Sequence, residues 1–146
     1  MTVSRSATAI WQGNLTEGRG SVSSNSSAQL RDLPLSWSAR TEDPKGLTGP
    51  EELLAAAHAS CFSMAMTNTL FSAGFTAERL ETTVAVSAEK REVGWTVIGS
   101  HISVRGRVPG ADQAAFADAA TIAKDACPIS RALMGNVELS VDATLE

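Results

Sequence analysis

The sequence predicts an α+β fold in which mostly antiparallel strands accompany a long buried central helix and a second, shorter helix. Alternating apolar and polar residues mark strands at both ends and in the middle of the chain, and an uncharged stretch over residues 53–77 marks the buried helix. The resulting order of elements is β-β-β-α-β-β-α-β. With 146 residues, 43% of them hydrophobic, the chain can bury a core of its own, so we assign residues 1–146 to a single domain.

The N-terminal part of the chain is predicted to be strands and loops. Residues 3–11 and about 19–24 alternate as two strands of a hairpin, and residues 25–32 form a polar loop. Residues 33–40 are predicted as a third strand, whose proline places it near a sheet edge. Residues 41–49 contain a proline and two glycines and are predicted to be a loop.

The central helix carries start and stop signals. Thr48 followed by Glu51 fits a capping box, whereas Gly49 followed by Pro50 fits a glycine cap with proline at the first helical position. Both alternatives begin the helix within one residue of each other, and Gly74 supplies the C-terminal stop. The uncharged stretch is long enough to cross a membrane, but its polar residues and moderate hydropathy favour a helix buried inside a soluble protein.

The C-terminal part alternates between strands and helices. Residues 81–90 and 94–108 are predicted to pair as a hairpin, and residues 111–127 form an amphipathic helix. A short helix through 128–134 begins at a proline, and residues 137–145 alternate as a final strand. The apolar stripe predicted for the second helix contains Phe116, Ala119, Ala123 and Cys127.

Composition excludes several classes of function. The net charge of −4 argues against nucleic-acid binding. The two histidines and two cysteines are isolated in sequence, which argues against a locally built metal site, and the usual nucleotide-binding loops are absent. The N-terminus lacks the apolar segment of a secretory signal, so we expect a cytoplasmic protein with no membrane attachment, in which structural disulfides are uncommon.

The two cysteines, Cys61 and Cys127, lie on apolar helix faces and are therefore either inert core thiols or a redox pair. A reactive thiol must be ionised, but Cys61 lies about ten residues into its helix, beyond the reach of the helix dipole. Burial alone would raise its pKa. A reactive Cys61 therefore needs a nearby cation, either His58 one turn earlier or an arginine from elsewhere.

Residues 49–65 and 126–130, which contain the two cysteines, resemble the signature motifs of the OsmC/Ohr family. This family comprises osmotically inducible protein C and the organic hydroperoxide resistance proteins, which are thiol-dependent peroxidases. Residues 7–13 and 18–20, together with His58, resemble the OsmC branch. The resemblance covers nearly the whole chain in order and spacing, and it implies a single OsmC-like domain.

The resemblance implies a catalytic role for four residues. Cys61 matches the peroxidatic cysteine, which attacks the hydroperoxide and becomes a sulfenic acid, and Cys127 matches the resolving cysteine, which forms a disulfide with it. Arg40 matches the arginine that holds the thiolate, and Glu51 matches the carboxylate that orients this arginine. The competing residues are Arg19 and Arg31 for the arginine and Glu52 for the carboxylate.

The family resemblance also implies an intertwined homodimer with active sites at the subunit interface. Glu51 and Cys61 lie on nearly the same helix stripe but about 15 Å apart along it. One arginine can hardly contact both, so if Arg40 bridges a carboxylate and the thiolate, the carboxylate is expected from a second chain. The long uncharged helix, which is hard to cover within one short chain, supports the dimer.

The function expected from the resemblance is the reduction of organic hydroperoxides without metal, haem or flavin. An external dithiol would regenerate the thiols, with a lipoyl-type donor implied by the resemblance and thioredoxin as another candidate. Apolar residues near Cys61 favour a fatty or aromatic hydroperoxide, if they line its pocket; the candidates are Phe62, Met64, Phe71 and Phe75.

Two alternative functions remain open from the residues alone. In a hydrolase or acyltransferase, Cys61 would be the nucleophile and His58 its base. In a non-catalytic protein, the cavity would hold an apolar ligand. We interpret His58 as a packed, hydrogen-bonded core histidine rather than a base, because an arginine suffices to stabilise a thiolate.

Overall fold

Two three-stranded sheets and four helices make up the chain, which the computed structural model describes over residues 1–146. The chain divides into two units, Met1–Leu53 and Leu54–Glu146, each containing one of the sheets. Three of the four strand pairings are antiparallel, which confirms the predicted fold class. The assignment of a single domain stays a prediction.

The elements follow the predicted order, with one added helix. They are β1 (Ala7–Gln12), β2 (Arg19–Ser24), β3 (Leu33–Leu35), α1 (Trp37–Thr41), α2 (Pro50–Ser72), β4 (Arg79–Arg91), β5 (Gly94–Arg107), α3 (Gln113–Ala126), α4 (Pro128–Leu133) and β6 (Glu138–Leu145).

The predicted strand over residues 33–40 is wrong in its second half. The strand ends at Leu35, and Arg40 lies on the short helix α1. Ser36 causes the change, because its hydroxyl accepts a hydrogen bond from the Ala39 backbone N–H at 3.1 Å and so caps a helix turn. Arg40 therefore projects from a helix rather than from a strand.

Helix α2 begins at Pro50, with Gly49 preceding it and accepting a backbone bond from Leu53 at 3.1 Å. The glycine-cap alternative is thereby confirmed, and the capping box is not formed. Thr48 instead donates its hydroxyl hydrogen to Glu52 Oε2 at 2.7 Å. The helix runs continuously to Ser72, as predicted.

One stripe of α2 is buried in the core of the second unit. The buried residues recur every four positions, which keeps them on one face of the helix; they are His58, Phe62, Met66 and Leu70. Its other faces carry apolar side chains among polar ones, and Met64 and Phe71 are 70% and 73% exposed. One chain thus covers only part of this helix.

The second unit pairs β4, β5 and β6 in that order around this core. β4 and β5 form the predicted antiparallel hairpin, and β6 joins β5 in parallel. The predicted stripe of α3 is confirmed, because Phe116, Ala119, Ala123 and the following Cys127 are all buried. No helix combines the length and the apolar character that crossing a membrane requires.

Replacing Gly106 by alanine should destabilise the second unit. A Cβ atom at this β5 position would lie 2.6 Å from the Phe116 ring, which is fully buried and has little room to shift. We expect a loss of about 1–3 kcal/mol in the free energy of unfolding. Urea denaturation measures it. Gly99→Ala is the matched control on the same strand, since its Cβ meets nothing closer than 3.8 Å. Equal losses in both variants would contradict the packing argument.

Candidate active site

An open, mainly apolar pocket of about 550 Å³ in the second unit has Cys61 in its wall. Helix α2 supplies one side of the pocket, and the end of α3 with the start of α4 supplies the other. The lining residues from α2 are Ala57, Ser60, Cys61, Met64, Ala65, Asn68 and Thr69, and those from the other side are Ala126, Pro128 and Ile129. The site therefore combines a thiol with an apolar surface.

The structure brings the two predicted cysteines together. Cys61 is half-buried in the middle of α2, whereas Cys127 is fully buried between α3 and α4. Both thiols are free, and Cys127 is close enough to Cys61 to affect its pKa. A thiol that faces a pocket, with a second thiol buried behind it, is the arrangement that a two-cysteine redox cycle requires.

Burial raises the pKa of the Cys61 thiol, and the neighbouring Cys127 raises it further. The backbone N–H of Ile129 acts in the opposite direction, because it bonds to the sulfur and favours the thiolate. No cation of the second unit is among the groups that act on this thiol. Within the second unit, the pKa of this thiol is therefore raised on balance, which favours its neutral form.

The contribution of Ile129 was missed from the sequence. Ile129 is the second residue of α4, so its N–H has no partner within the helix and is free to bond to another group. Pro128 at the first helical position was the available signal, since it marks the helix start and hence the free N–H groups. Which group such an N–H faces depends on tertiary packing.

His58 is a buried, hydrogen-bonded core histidine, as predicted. Its Nδ1 lies 2.8 Å from Ser100 Oγ, and its Nε2 lies 2.8 Å from Ser130 Oγ. Burial lowers its pKa, which keeps the ring neutral. Because both ring nitrogens are hydrogen-bonded to serine hydroxyls, His58 has no nitrogen available to act as a base for Cys61.

Arg40 and Glu51 form an ion pair within the first unit of one chain. The expectation that a second chain supplies the carboxylate to a bridging Arg40 is therefore wrong, because Glu51 of the same chain lies within hydrogen-bond distance. Arg40 donates from Nε at 2.9 Å and from Nη2 at 2.8 Å to the same carboxylate oxygen, Oε1 of Glu51. The guanidinium also lies over the Trp37 ring, with Cζ 5.8 Å from the ring centroid. The carboxylate and the ring hold the guanidinium in one orientation.

The competing residues bond elsewhere. Arg19 donates to the backbone carbonyls of Glu17 and Gly18, and Arg31 donates to that of Ala28. Glu52 is the acceptor for Thr48. These contacts leave Arg40 and Glu51 as the paired charges of the first unit.

A second pocket, of about 280 Å³, lies beside Arg40 within the first unit. Its wall is mostly apolar and includes two tryptophans; the lining residues are Trp11, Leu15, Leu35, Ser36, Trp37, Arg40, Thr48 and Pro50. Arg40 is thus a charged group set at the edge of an apolar surface, and its side chain is 29% exposed.

Of the four residues expected to line a pocket beside Cys61, the structure places only Met64 there. Phe62 is fully buried in the core instead, because it belongs to the inner stripe of α2. Phe71 and Phe75 do not line this pocket either. Small residues of α2 and the start of α4 form most of its wall.

The chain resembles proteins of one family along nearly its whole length. The family model described as OsmC-like protein matches residues 42–142. A curated relative, peroxiredoxin OsmC of Escherichia coli (strain K12), is 38% identical over 139 residues, which are 95% of this chain and 96% of the relative. The peroxiredoxin OsmC of Shigella flexneri matches to the same extent.

Solved structures share the fold. The organic hydroperoxide resistance protein OhrB of Bacillus subtilis superposes with a TM-score of 0.73 at 24% identity, covering 95% of this chain and 98% of that one. An OsmC-like protein from Mycoplasma pneumoniae superposes with a TM-score of 0.74 at 17% identity, covering 99% of each chain.

His58 should make stability depend on pH. Its pKa is below 6.5 in the folded chain and returns to its ordinary value on unfolding, so the unfolded state binds the extra proton. The free energy of unfolding should therefore fall as the pH drops below about 6.5, and the full contribution should be present above it. Urea denaturation of the wild type and of His58→Gln at about pH 7.5 and pH 5.5 measures this. An equal pH dependence in both proteins would contradict it.

Proposed function

This chain belongs to the OsmC-like protein family and is a peroxidase, and on that premise we propose that it reduces organic hydroperoxides to alcohols, with Cys61 and Cys127 as its redox pair. The predicted family, fold class and enzyme class are confirmed by the similarities above. The observation that carries the proposed mechanism is the Cys61 thiol in the wall of an apolar pocket, with the buried Cys127 next to it.

The first step is the attack of the Cys61 thiolate on the terminal oxygen of the hydroperoxide. The O–O bond breaks, an S–O bond forms, and the alkoxide leaves with a proton as the alcohol. Cys61 becomes a sulfenic acid, so the sulfur loses the two electrons that the peroxide gains. Cys61 suits this role better than Cys127, because it faces the pocket whereas Cys127 is fully buried.

In the second step, the Cys127 sulfur attacks the Cys61 sulfenic acid, a disulfide forms and water leaves. An external dithiol then reduces the disulfide by thiol exchange and is itself oxidised. We propose a lipoyl-type dithiol for this role, with no metal, haem or flavin in the cycle. A reducing compartment such as the cytoplasm fits this cycle.

We propose that Arg40 of a second copy supplies the cation that Cys61 lacks within its own unit. A guanidinium is always charged, and its fork of donors can bind a thiolate and a peroxide oxygen together. The Glu51 carboxylate holds Arg40 in orientation through two hydrogen bonds. The exposed apolar face of α2, which includes Met64 and Phe71, is a surface that a dimer would cover.

The pocket favours an organic hydroperoxide over hydrogen peroxide. Its wall is mostly apolar, so a hydrocarbon tail gains from leaving water, and hydrogen peroxide has no such tail. The hydrolase alternative has less support, because His58 bonds to two serines and offers no base to Cys61. A binding protein without catalysis would leave both thiols intact when the hydroperoxide is added.

Stoichiometric organic hydroperoxide should remove two thiols from the pre-reduced protein. Disulfide formation predicts a mass decrease of about 2 Da in the intact chain. Thiol titration and intact mass measure both quantities, and a parallel reaction with hydrogen peroxide should be slower. Cys61→Ser should lose the reaction, whereas Cys127→Ser should react once and stop at an oxidised Cys61. Survival of both thiols in the wild type would overturn the proposal.

Mixed dimers test whether Arg40 acts across subunits. Arg40→Met and Cys61→Ser should each be inactive alone. After joint unfolding and refolding, a mixed dimer combines an intact Cys61 on one chain with an intact Arg40 on the other. Peroxidase activity should return if Arg40 acts on the partner's thiol, and it should stay absent if Arg40 acts within its own chain. Glu52→Gln, which leaves the Arg40–Glu51 pair intact, is the control for a change of charge.

A further inference from the structure

A buried histidine that the proposed cycle does not use connects three elements of the second unit. His58 precedes Cys61 by one turn of α2, and its ring is fully buried. Its two nitrogens bond to Ser100 on β5 and to Ser130 on α4, both at 2.8 Å. Both serines are buried as well, so neither hydrogen bond competes with water.

The α4 end of this bridge holds the turn that faces Cys61. Ser130 directly follows Ile129, whose backbone N–H bonds to the Cys61 sulfur, and it comes three residues after Cys127. Helix α4 has only six residues, and Cys127 at its N-cap makes no side-chain capping bond. The hydrogen bond between Ser130 and His58 is therefore a buried side-chain anchor of this turn to α2.

We propose that His58 is a positioning residue of the peroxidase cycle: by holding Ser130, it keeps the Ile129 N–H on the Cys61 sulfur and keeps Cys127 within reach of it. His58 contacts neither the substrate nor the reacting sulfur in this role. The ring is suited to it because a neutral imidazole donates at one nitrogen and accepts at the other, so it satisfies two serine hydroxyls. The role of His58 in turnover rests on the proposed function. Its hydrogen bonds to the two serines do not, because they are present in the structure with both cysteines as free thiols.

Loss of the hydrogen bond between Ser130 and His58 should affect both the reaction of Cys61 with the hydroperoxide and the formation of the disulfide. Without the anchor, the Ile129 N–H no longer stays on the sulfur, and a thiolate that loses a hydrogen bond is less favoured. We expect the Cys61 pKa to rise by about one unit, which means about tenfold less thiolate at neutral pH. Disulfide formation should slow as well, because Cys127 lies on the same turn and is held less closely to Cys61.

Serine variants separate positioning from general stability. Ser130→Ala should raise the Cys61 pKa, read from the pH profile of iodoacetamide alkylation resolved by mass, and should slow disulfide formation. Ser130→Thr keeps the hydroxyl and should restore both. Ser63→Ala is the matched control, because it removes a 2.8 Å hydrogen bond from the same helix to Thr82 on β4 and leaves α4 untouched.

Two histidine variants test the same idea in case Ser130→Ala does not fold. The amide of His58→Gln reaches about as far as Nε2 and can keep the bond to Ser130. The shorter amide of His58→Asn reaches about as far as Nδ1 and can keep only the bond to Ser100. The glutamine variant should therefore keep the wild-type alkylation profile and rate of disulfide formation. The asparagine variant should show a raised Cys61 pKa and slower disulfide formation.

Two results would overturn the proposal. One is that Ser130→Ala and Ser63→Ala lower the Tm alike while neither changes the alkylation profile. The other is that the asparagine and glutamine variants of His58 behave identically. Alkylation needs no hydroperoxide, so these failures differ from a failure of the proposed function, in which the wild type keeps both thiols after hydroperoxide is added.

Discussion

The packing of the inner stripe of α2 is the constraint on which the second unit depends. His58, Phe62, Met66 and Leu70 recur every four residues, and each is at most 1% exposed. Because they share one face, their burial fixes the rotation of the helix about its axis. Cys61 directly precedes Phe62 and so lies about 100° around the helix from it. This angle places the thiol at the edge of the core, half-buried and facing a pocket.

The same placement sets the chemical problem of the site. A thiol at the edge of an apolar core has access to an apolar substrate, but burial raises its pKa and reduces the thiolate. Within the second unit, one backbone N–H, that of Ile129, counteracts this effect. The ion pair of Arg40 and Glu51 in the first unit is the preorganised charge that the proposed mechanism adds from a second copy.

The outer faces of α2 point to the same conclusion. A helix with large apolar side chains on several faces is most stable when each of those faces is covered. One chain buries the inner stripe, and Met64 and Phe71 stay exposed. A second copy that covers these side chains would lower the exposed apolar area and bring a guanidinium to the thiol. Stability and catalysis would then depend on the same association.

The sequence by itself determined most of the elements and the family to which the chain belongs. Glycine and proline signals bounded α2, alternation marked the strands, and the motifs around Cys61 and Cys127 indicated the family. These signals are local, because caps and periodicity act within a few residues. The exception among the elements is α1, which was predicted as a strand. Arg40 lies on this helix because the Ser36 cap outweighed the strand pattern.

Only the tertiary structure decided which side chains meet. His58 bonds to serines that are 42 and 72 residues away, and Ile129 turns its N–H to a sulfur on another helix. No local pattern encodes such pairs, because they depend on how the buried faces of α2, β5 and α4 fit together. The sequence motifs indicated the two thiols. Their surroundings depend on packing, because the surrounding groups come from distant segments that only the folded core brings into contact.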